Sequence, residues 1–399
     1  MVECKRCLNV ESFDTLIHQP IRITPSGLCN QCDNWEINSK EFYKYRQAAK
    51  EQLPKIFDKI KSENHEYDAV VCLSGGKDSS AALILAKEKY NLKVLAFTID
   101  KGTFYDGVKQ QIDKITDELG VDHVFVKAPK PLVNRIFRFG IKTLSNAGIQ
   151  CKLCGGLLHV PIQSRFLLKY DSPIVITGLD LWEIYGGYTL EKNRKTKLIN
   201  PFLYTFPTLK KRWNDYQLTI DDCLNLLKRF SSEDQFSKLK EEFMQIANDL
   251  ISRYGLSPGE IGALKKAELY DIGLPAIEIS SKKQQLRLLE EHGWSPPKDM
   301  FTGEIIGTDC RIGGLVNAIT SFKQKRKLWS YRIRTGLVTK DEAIEEINRR
   351  NPDVERICHT LNQIGIKKLQ NQLIGGWKNK KFKDVYDTQV IDKVNAQIC

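Results

Sequence analysis

Short apolar runs and amphipathic segments alternate through the middle of the chain. The apolar runs predict strands at 69–73, 93–99, 122–126 and 173–177. Apolar residues at helical spacing predict helices at 79–90, 108–119, 131–147 and 154–169. Strands that alternate with helices are typical of a parallel sheet covered on both faces. The predicted fold class is therefore α/β with a doubly wound parallel sheet, whose ligands lie beyond the carboxyl ends of the strands.

The pattern changes on both sides of this central region. Residues 1–36 combine four cysteines and turn formers with little apolar core, which predicts a small separate module, and 37–65 read as a linking helix. The sheet domain is predicted at 66–205. From 206 to 399 the pattern is mostly helical, and Thr339 with Glu342 fits a capping box. This C-terminal region is expected to pack on the sheet domain and to contact substrate or a partner.

Composition narrows the function only slightly. The 399 residues carry a net charge of +12, which admits nucleotides, phosphorylated sugars or nucleic acid as partners without choosing among them. Basic runs at 323–334 and 378–383 are interpreted as solvated faces. The sequence has no run of about 18 apolar residues, and its N-terminus lacks the apolar core of a signal peptide. We therefore expect a cytoplasmic protein with no membrane partner.

The stretch Ser74-Gly75-Gly76-Lys77-Asp78-Ser79-Ser80 follows the first predicted strand and opens the first helix. Glycines permit a tight turn there, and the first amides of the helix are ready to bind a phosphate or pyrophosphate. Lys77 adds positive charge, the serine hydroxyls donate hydrogen bonds, and Asp78 is suited to Mg²⁺ or to a backbone amide. The stretch is not a Walker A loop, because an aspartate follows the lysine.

This stretch resembles the SGGxDS motif of the PP-loop ATP pyrophosphatases. The resemblance implies cleavage of ATP between the α and β phosphates, adenylation of a carbonyl oxygen, and displacement of AMP by a nitrogen or sulfur nucleophile. It further implies that residues 74–80 cradle the pyrophosphate, with Lys77 and Asp78 in catalytic roles. Nucleotide contacts are implied at Thr98 and Asp100, which end the second strand, and at Gly178, which follows the fourth.

Four cysteines form two C-x-x-C pairs near the N-terminus, Cys4/Cys7 and Cys29/Cys32. In a reducing compartment, pairs at this spacing indicate metal ligands rather than disulfides. Four thiolates suit tetrahedral Zn²⁺, and a module with so small a core needs such a staple in order to fold. The predicted zinc site has no open coordination position, so its role is expected to be structural.

A third pair, Cys151 and Cys154, lies within the predicted sheet domain, and Cys310 lies far along the chain. Three cysteines can hold a [4Fe–4S] cluster with one open iron. A similar set occurs in the cluster-dependent thiolases of the same superfamily, which insert sulfur into transfer RNA. A second metal or cluster, a redox or nucleophilic role, and a structural role without metal all remain open for these three residues.

Several segments together resemble the N-acetyl sugar amidotransferases, bacterial enzymes of surface polysaccharide and flagellar glycan synthesis. The matching stretches are 4–7, 27–32, Tyr67-Asp68, the loop, Cys151-x-x-Cys154, 173–178, 183–187, 292–294 and Asp309-Cys310-Arg311. The resemblance implies an ATP-dependent amidotransferase that turns an acetamido group of a sugar or sugar nucleotide into an acetamidino group. This sequence departs from the family pattern after Gly178, where Leu179 stands in place of an expected polar residue. Asp180 and Glu183 are expected to take over that role, with Asp180 catalytic.

The resemblance also implies where the ammonia comes from. None of the cysteines lies in a G-x-C-x-G elbow, so the chain has no recognisable glutaminase nucleophile of its own. The family implies a separate glutaminase, with a partner similar to the glutaminase and cyclase subunits of histidine biosynthesis. The competing interpretation is a sulfur-inserting ligase that acts on transfer RNA or a small molecule.

Overall fold

The centre of the molecule is a six-stranded sheet. The structure, a computed structural model, describes residues 2–12, 20–143, 149–185, 202–205, 216–301, 310–349, 351–366 and 386–398. The strands are β1 Ala69–Cys72, β2 Val94–Asp100, β3 Asp122–Lys127, β4 Ile174–Thr177, β5 Leu203–Thr205 and β6 Tyr270–Gly273. Their order across the sheet is β3-β2-β1-β4-β6-β5. The chain therefore reverses its direction of winding between β1 and β4, the position at which sheets of this kind bind ligands.

The predicted α/β fold class is confirmed, with two differences at one side of the sheet. β3, β2, β1, β4 and β6 run parallel, but the short edge strand β5 pairs antiparallel to β6. β6 comes from residues 270–273, within the region where the pattern predicts mostly helix. The strand is only four residues long and lies directly between two helices, so it leaves no clear period-two signal.

Helices connect the parallel strands. They are α2 Lys77–Ile84, α3 Val108–Glu118, α4 Lys130–Lys142, α5 Ile149–Cys154 and α6 Val160–Lys169. A π-helical turn, Leu85–Lys89, extends α2, and a second one, Gly155–His159, joins α5 to α6. The predicted helix at 131–147 is described only as far as residue 143, because 144–148 lie outside the described residues.

The C-terminal region is mostly helical, as the pattern predicts. Its helices are α7 Tyr216–Phe230, α8 Glu233–Tyr254, α9 Pro258–Lys266, α10 Leu274–Glu278, α11 Lys282–Glu291, α12 Arg311–Ile319, α13 Phe322–Arg334, α14 Lys340–Asn348, α15 Val354–Gln363 and α16 Thr388–Ile398. The capping box at Thr339 and Glu342 is confirmed at the start of α14. None of the described helices combines the length and the apolar character needed to cross a bilayer.

One long helix, α1 Asn30–Ser62, links the cysteine module to the sheet. It begins inside the module, directly after Cys29, and continues through the predicted linker. Its buried residues Trp35, Phe42 and Phe57 join the same apolar core as the strands, whereas Cys4, Cys7, Ile21, Cys29 and Cys32 form a small cluster of their own. α1 therefore carries the module on the sheet domain through a packed apolar face rather than as a tether.

The sequence predicts a solvated face for the basic run at 323–334, and this prediction is wrong. Lys325 is 1% exposed, Lys327 8% and Arg334 2%, because α13 packs against the cysteine module and the sheet domain. The long aliphatic stems of lysine and arginine allow such burial when their charged ends find partners. The second basic run, at 378–383, lies outside the described residues.

Candidate functional site

The loop between β1 and α2 is held in one conformation by its neighbours. Gly75 has φ of +78°, a region that side chains disfavour. A Cβ on Gly75 would lie 2.7 Å from Val108 Cγ1, on α3. The Gly75 carbonyl accepts a hydrogen bond of 3.1 Å from Trp294 Nε1. Glycine is thus required there, and the loop is fixed from both the sheet side and the C-terminal side.

The first turn of α2 presents its backbone amides at the carboxyl edge of the sheet. Gly76 is the N-cap and supplies no capping side chain. Ser79 turns inward: its Oγ accepts from Ser74 N at 3.0 Å and donates to the Gly76 carbonyl at 3.2 Å. Ser80 is 1% exposed, and its Oγ has no hydrogen-bond partner among the described residues. The amides and the positive end of the helix dipole form a site suited to a phosphate.

Lys77 and Asp78 stand side by side at this helix start. The Lys77 ammonium lies 2.6 Å from Asp78 Oδ2, and Gln285 Nε2 on α11 donates to Asp78 Oδ1 at 2.7 Å. Asp78 is therefore held by the loop and by the C-terminal region together. Its carboxylate would be available to Mg²⁺ only after the lysine moved toward another anion.

Gly178 and Asp180 follow β4 and adjoin the same helix start. A Cβ on Gly178 would lie 2.6 Å from Ser79 N, so glycine permits the close approach of β4 to α2. Asp180 is 8% exposed, and its Oδ1 accepts from the amides of Trp182 and Glu183 at 3.1 and 3.2 Å. Burial and the nearby Asp78 charge raise the pKa of the Asp180 carboxyl.

Thr98 and Asp100 lie at the end of β2, on the other side of the loop. Thr98 is 1% exposed, and its hydroxyl donates to the Leu73 carbonyl, so it joins two strand ends. Asp100 accepts from Gly102 N at 2.8 Å and pairs with Lys109. Burial is the largest single influence and opposes ionisation of Asp100, but the hydrogen bonds from Lys109 and Gly102, with the charges of Lys109 and Lys127, together lower the pKa of the carboxyl. Asp100 is therefore a charged group at the carboxyl end of β2, held by Gly102 and Lys109.

A cavity opens beside Lys77, between the end of β4 and helices α10, α11 and α13. Its polar wall is formed by Lys77, Asp180, Lys282, Gln285 and Arg332, and its apolar wall includes Trp329. Sequence reasoning missed Lys282, Gln285, Trp329 and Arg332. They lie between 205 and 255 residues after Lys77 along the chain, and no local spacing marks them.

The four N-terminal cysteines meet in one buried cluster, as predicted. Their sulfur atoms lie within 4.8 Å of one another, and each residue is at most 1% exposed. Cys4 Sγ lies 3.8 Å from Cys32 Sγ, and Cys7 Sγ lies 3.8 Å from Cys29 Sγ. Backbone amides of Asn9 and Cys29 point at sulfur atoms, at 3.4 and 3.2 Å. The donor set fits a single metal ion held by four thiolates.

The cysteine cluster contacts α13 directly. Arg334 Nη1 lies 3.8 Å from Cys7 Sγ, and Leu8 N donates to Ser330 Oγ at 3.1 Å. Leu8 also packs in one apolar cluster with Trp329, which lines the cavity. The module is therefore part of the support of the cavity wall.

Cys151, Cys154 and Cys310 lie near one another but do not form a compact ligand set. The pKa of the Cys154 thiol is raised to about 12, chiefly by burial. The positive charge of Lys101 opposes this rise, and the neighbouring Cys151 and Cys310 add to it. Cys310 Sγ lies 3.8 Å from Thr103 Oγ1, just beyond β2. Among the described residues, only the N-terminal four cysteines gather ligand atoms within 4.8 Å.

Comparison with known proteins gives a partial likeness. No protein-family model matches the chain. The glutamine-hydrolyzing GMP synthase of Pyrobaculum aerophilum is 28% identical over 86 residues, which are 22% of this chain and 17% of that protein. One subunit of the glutamine-hydrolyzing GMP synthase of Methanocaldococcus jannaschii is 28% identical over 88 residues, which are 22% of this chain and 28% of that protein. The chain thus spans less than a third of the length of either relative.

Three solved structures show a weak likeness to the chain. The NH3-dependent NAD synthetase of Campylobacter jejuni has a TM-score of 0.27 and 16% identity, covering 53% of this chain and 97% of that one. The U34-tRNA thiolase of Methanococcus maripaludis, with its [4Fe-4S] cluster, has a TM-score of 0.27 and 15% identity. That match covers 73% of this chain and 88% of the thiolase. The NMN synthetase of Francisella tularensis has a TM-score of 0.27 and 19% identity, and the match covers 56% of this chain and 93% of the synthetase.

Proposed function

We propose that the protein is an ATP-using ligase of the PP-loop pyrophosphatase superfamily that converts an acetamido group of a sugar into an amidine. ATP is cleaved to AMP and pyrophosphate, and ammonia supplies the nitrogen. The observation that carries the ATP assignment is the loop: Gly75 at φ +78°, the uncapped amides of α2, and Lys77 beside them. The short sequence likeness to GMP synthases that hydrolyse glutamine supports a nitrogen nucleophile.

The reaction proposed here has two steps. The acetamido oxygen attacks the α phosphorus, the bond from that phosphorus to the β-phosphate oxygen breaks, and pyrophosphate leaves with both bonding electrons. Ammonia then adds to the activated carbon and loses a proton. The bond from this carbon to the former acetamido oxygen breaks, and AMP leaves carrying that oxygen. The first amides of α2 and Lys77 stabilise the charge that grows on pyrophosphate. Asp78 is the carboxylate proposed to hold Mg²⁺ once Lys77 has moved from it to the phosphates, and the ion would neutralise phosphate charge there.

Asp180 is the proposed proton acceptor for the nucleophile. It lies in the cavity wall beside Lys77, and burial with the Asp78 charge raises the pKa of its carboxyl, so it gains a proton more readily than an exposed aspartate. The ammonia is proposed to come from a separate glutaminase and its cyclase-like partner. The cavity, enclosed by the C-terminal helices, would shield the activated carbon from water.

The proposal is tested by the products of ATP turnover. Purified protein is incubated with ATP, Mg²⁺, ammonium and UDP-N-acetylglucosamine or other acetamido sugars, and the nucleotides are separated by chromatography. We expect AMP and pyrophosphate in equal amounts, formed only when acceptor and ammonium are both present. Formation of ADP would overturn the ATP chemistry, and Asp180→Asn should leave ATP binding intact while slowing amidine formation.

The cysteine cluster is proposed to hold structural zinc. Zinc–sulfur bonds of about 2.3 Å in a tetrahedron place the sulfur atoms about 3.8 Å apart, as observed for two sulfur pairs here. A four-iron cluster binds each cysteine to a different iron and needs a wider set. Metal analysis of anaerobically purified protein should give one zinc per chain, lost in a Cys29→Ser variant.

A sulfur-inserting ligase acting on transfer RNA is the second candidate. It is favoured by one observation: Cys151, Cys154 and Cys310 are near neighbours close to the end of β2. A cluster held there would present one open iron to sulfide. Several irons and labile sulfide per chain, lost in Cys154→Ser but kept in Cys29→Ser, would favour this candidate over the amidotransferase.

A further inference from the structure

His292 follows the last turn of α11, and both of its ring nitrogens face hydrogen-bond acceptors. Nδ1 lies 2.8 Å from the Leu288 carbonyl oxygen, one turn back on the same helix. Nε2 lies 2.8 Å from Glu88 Oε1, on the π-helical turn that extends α2. A neutral imidazole carries one N–H and satisfies one acceptor, whereas an imidazolium donates from both nitrogens. The two contacts together therefore require the protonated ring.

The groups around His292 favour the same protonation state. Burial is the largest single influence and lowers the pKa of the imidazole. The hydrogen bonds to Glu88 and Leu288, with the charges of Glu88 and Glu118, together raise that pKa above its usual value. Glu118 lies on α3, and Lys114 of the same helix packs against the residue that follows His292. Carboxylates from two other elements thus stabilise the imidazolium.

The two residues after His292 connect this contact to the loop between β1 and α2. Gly293 has φ of +65°, which turns the chain back at the end of α11. Trp294 N donates to the Leu289 carbonyl at 3.0 Å, and its indole Nε1 donates to the Gly75 carbonyl at 3.1 Å. His292 therefore fastens the end of α11 to the extension of α2, while Trp294, two residues later, fastens the same turn to the loop that precedes α2.

We propose that protonated His292 is a positioning residue for the loop between β1 and α2, and that the loop loosens when the ring loses its proton. In the neutral ring, one nitrogen faces an acceptor with no proton between them, so the contact with Glu88 or with Leu288 opens. The turn after the ring then gains freedom, and Trp294 holds the Gly75 carbonyl less firmly. The inference rests on the proposed function, in which this loop binds ATP.

The direction of the pH dependence follows from the raised pKa of His292. The stabilisation from the imidazolium is fully present below the ordinary histidine pKa of about 6.5. It is lost as the pH rises through the higher pKa of the folded protein. The loop should therefore hold ATP more tightly in mildly acidic solution than in alkaline solution, by the amount that His292 contributes.

Calorimetry tests this by measuring ATP affinity at a series of pH values without acceptor, in the unmodified protein and in His292→Gln. Glutamine keeps a hydrogen-bond donor but does not titrate, and the ratio of the two affinities removes the ionisation of ATP itself. We expect the variant to bind roughly two- to fivefold more weakly at about pH 6 and equally well at about pH 9. A ratio that stays constant across the series would overturn the proposal.

Two further variants separate charge from shape. Glu88→Gln removes the carboxylate that faces the ring and should reproduce the loss at about pH 6. His292→Lys keeps a positive charge throughout the series, so it should restore part of the affinity and abolish its dependence on the ring. Thermal unfolding of each variant shows whether the fold is kept. Glu88→Gln with unchanged ATP affinity would count against the proposal.

His65→Gln is the matched control. His65 also pairs with a carboxylate, that of Glu63 at 3.0 Å, but it precedes β1, at the edge of the sheet opposite the loop. This variant should bind ATP as the unmodified protein does at every pH, and an equal loss in both histidine variants would refute a specific role for His292.

Amide hydrogen exchange of residues 74–77 without ATP separates this inference from the proposed function. At a single pH near 6, these amides should exchange faster in His292→Gln than in His65→Gln, because the loop is less firmly held. Equal exchange in the two variants would overturn the positioning role. Failure of the unmodified protein to bind ATP would refute the proposed function alone, since the exchange comparison needs no ligand.

Discussion

The Arg334 guanidinium lies against the Cys7 sulfur, 3.8 Å from Nη1 to Sγ, in a position that is 2% exposed. If the four cysteines hold one divalent cation as thiolates, as proposed, the site carries a net charge of −2, and this buried arginine would offset part of it. Arg334 sits two residues after Arg332 on α13. One helix thus contacts the cysteine module at its C-terminal turn and the cavity beside it.

Removing that charge should weaken metal retention. Arg334→Gln keeps a hydrogen-bond donor but not the positive charge, and changes of this kind next to a metal site cost about 10- to 100-fold in affinity. Zinc release to a chromogenic chelator should accelerate accordingly. Arg287→Gln, exposed and remote, is the control; equal release from both variants would mean that Arg334 only fills space.

Gly178 should tolerate no side chain. Gly178→Ala places a Cβ 2.6 Å from the Ser79 amide nitrogen, so β4 and α2 must move apart. We expect a loss of about 1–3 kcal/mol in the free energy of unfolding, measured by urea denaturation. Gly262→Ala is the matched control, since a Cβ there meets nothing within 4 Å and alanine favours its helix. A Gly178→Ala protein as stable as this control would disprove the packing role.

The turn after β1 and the cysteine cluster could be predicted because both depend on neighbours along the chain, whereas the anion site predicted with the turn stays a prediction. Gly75, Gly76 and Lys77 follow a buried strand and open a helix, and that local order predicts both the turn and the anion site. Cys4 and Cys29 are equally easy to identify from the sequence, because their C-x-x-C spacing predicts metal ligands. Such signals do not depend on how the distant parts of the chain pack.

The missed features depend on contacts between distant parts of the chain. β6 is a four-residue strand recruited from residues 270–273, and its pairing with β4 has no local signature. Arg332 and Lys282 reach the loop only because α11 and α13 fold back onto it. The sequence predicts a nucleotide contact at Gly178, which stays a prediction, and its neighbours show that glycine there permits the close approach of two backbone segments.

Trp294 should control how well the loop holds ATP. Its indole N–H donates to the buried Gly75 carbonyl, and Trp294→Phe leaves that carbonyl without this donor. Leaving a buried acceptor unsatisfied costs about 1–3 kcal/mol, so we expect ATP to bind several-fold more weakly, as measured by calorimetry. Trp35→Phe, in the apolar core away from the loop, controls for loss of an indole; equal weakening in both variants would argue against the hydrogen bond.

Metal removal should alter the cavity as well as the module. Leu8 packs with Trp329, its amide bonds Ser330, and Arg326 Nε donates to its carbonyl at 2.8 Å, so the chain between Cys7 and Asn9 positions α13. If the cysteines hold the proposed ion, its removal should free this segment from its anchor and Arg332 from its fixed position. We expect chelated protein to bind pyrophosphate more weakly and to recover when zinc is restored. Circular dichroism should show that the sheet domain persists, and unchanged pyrophosphate affinity in the chelated protein would show that the module and the cavity are independent.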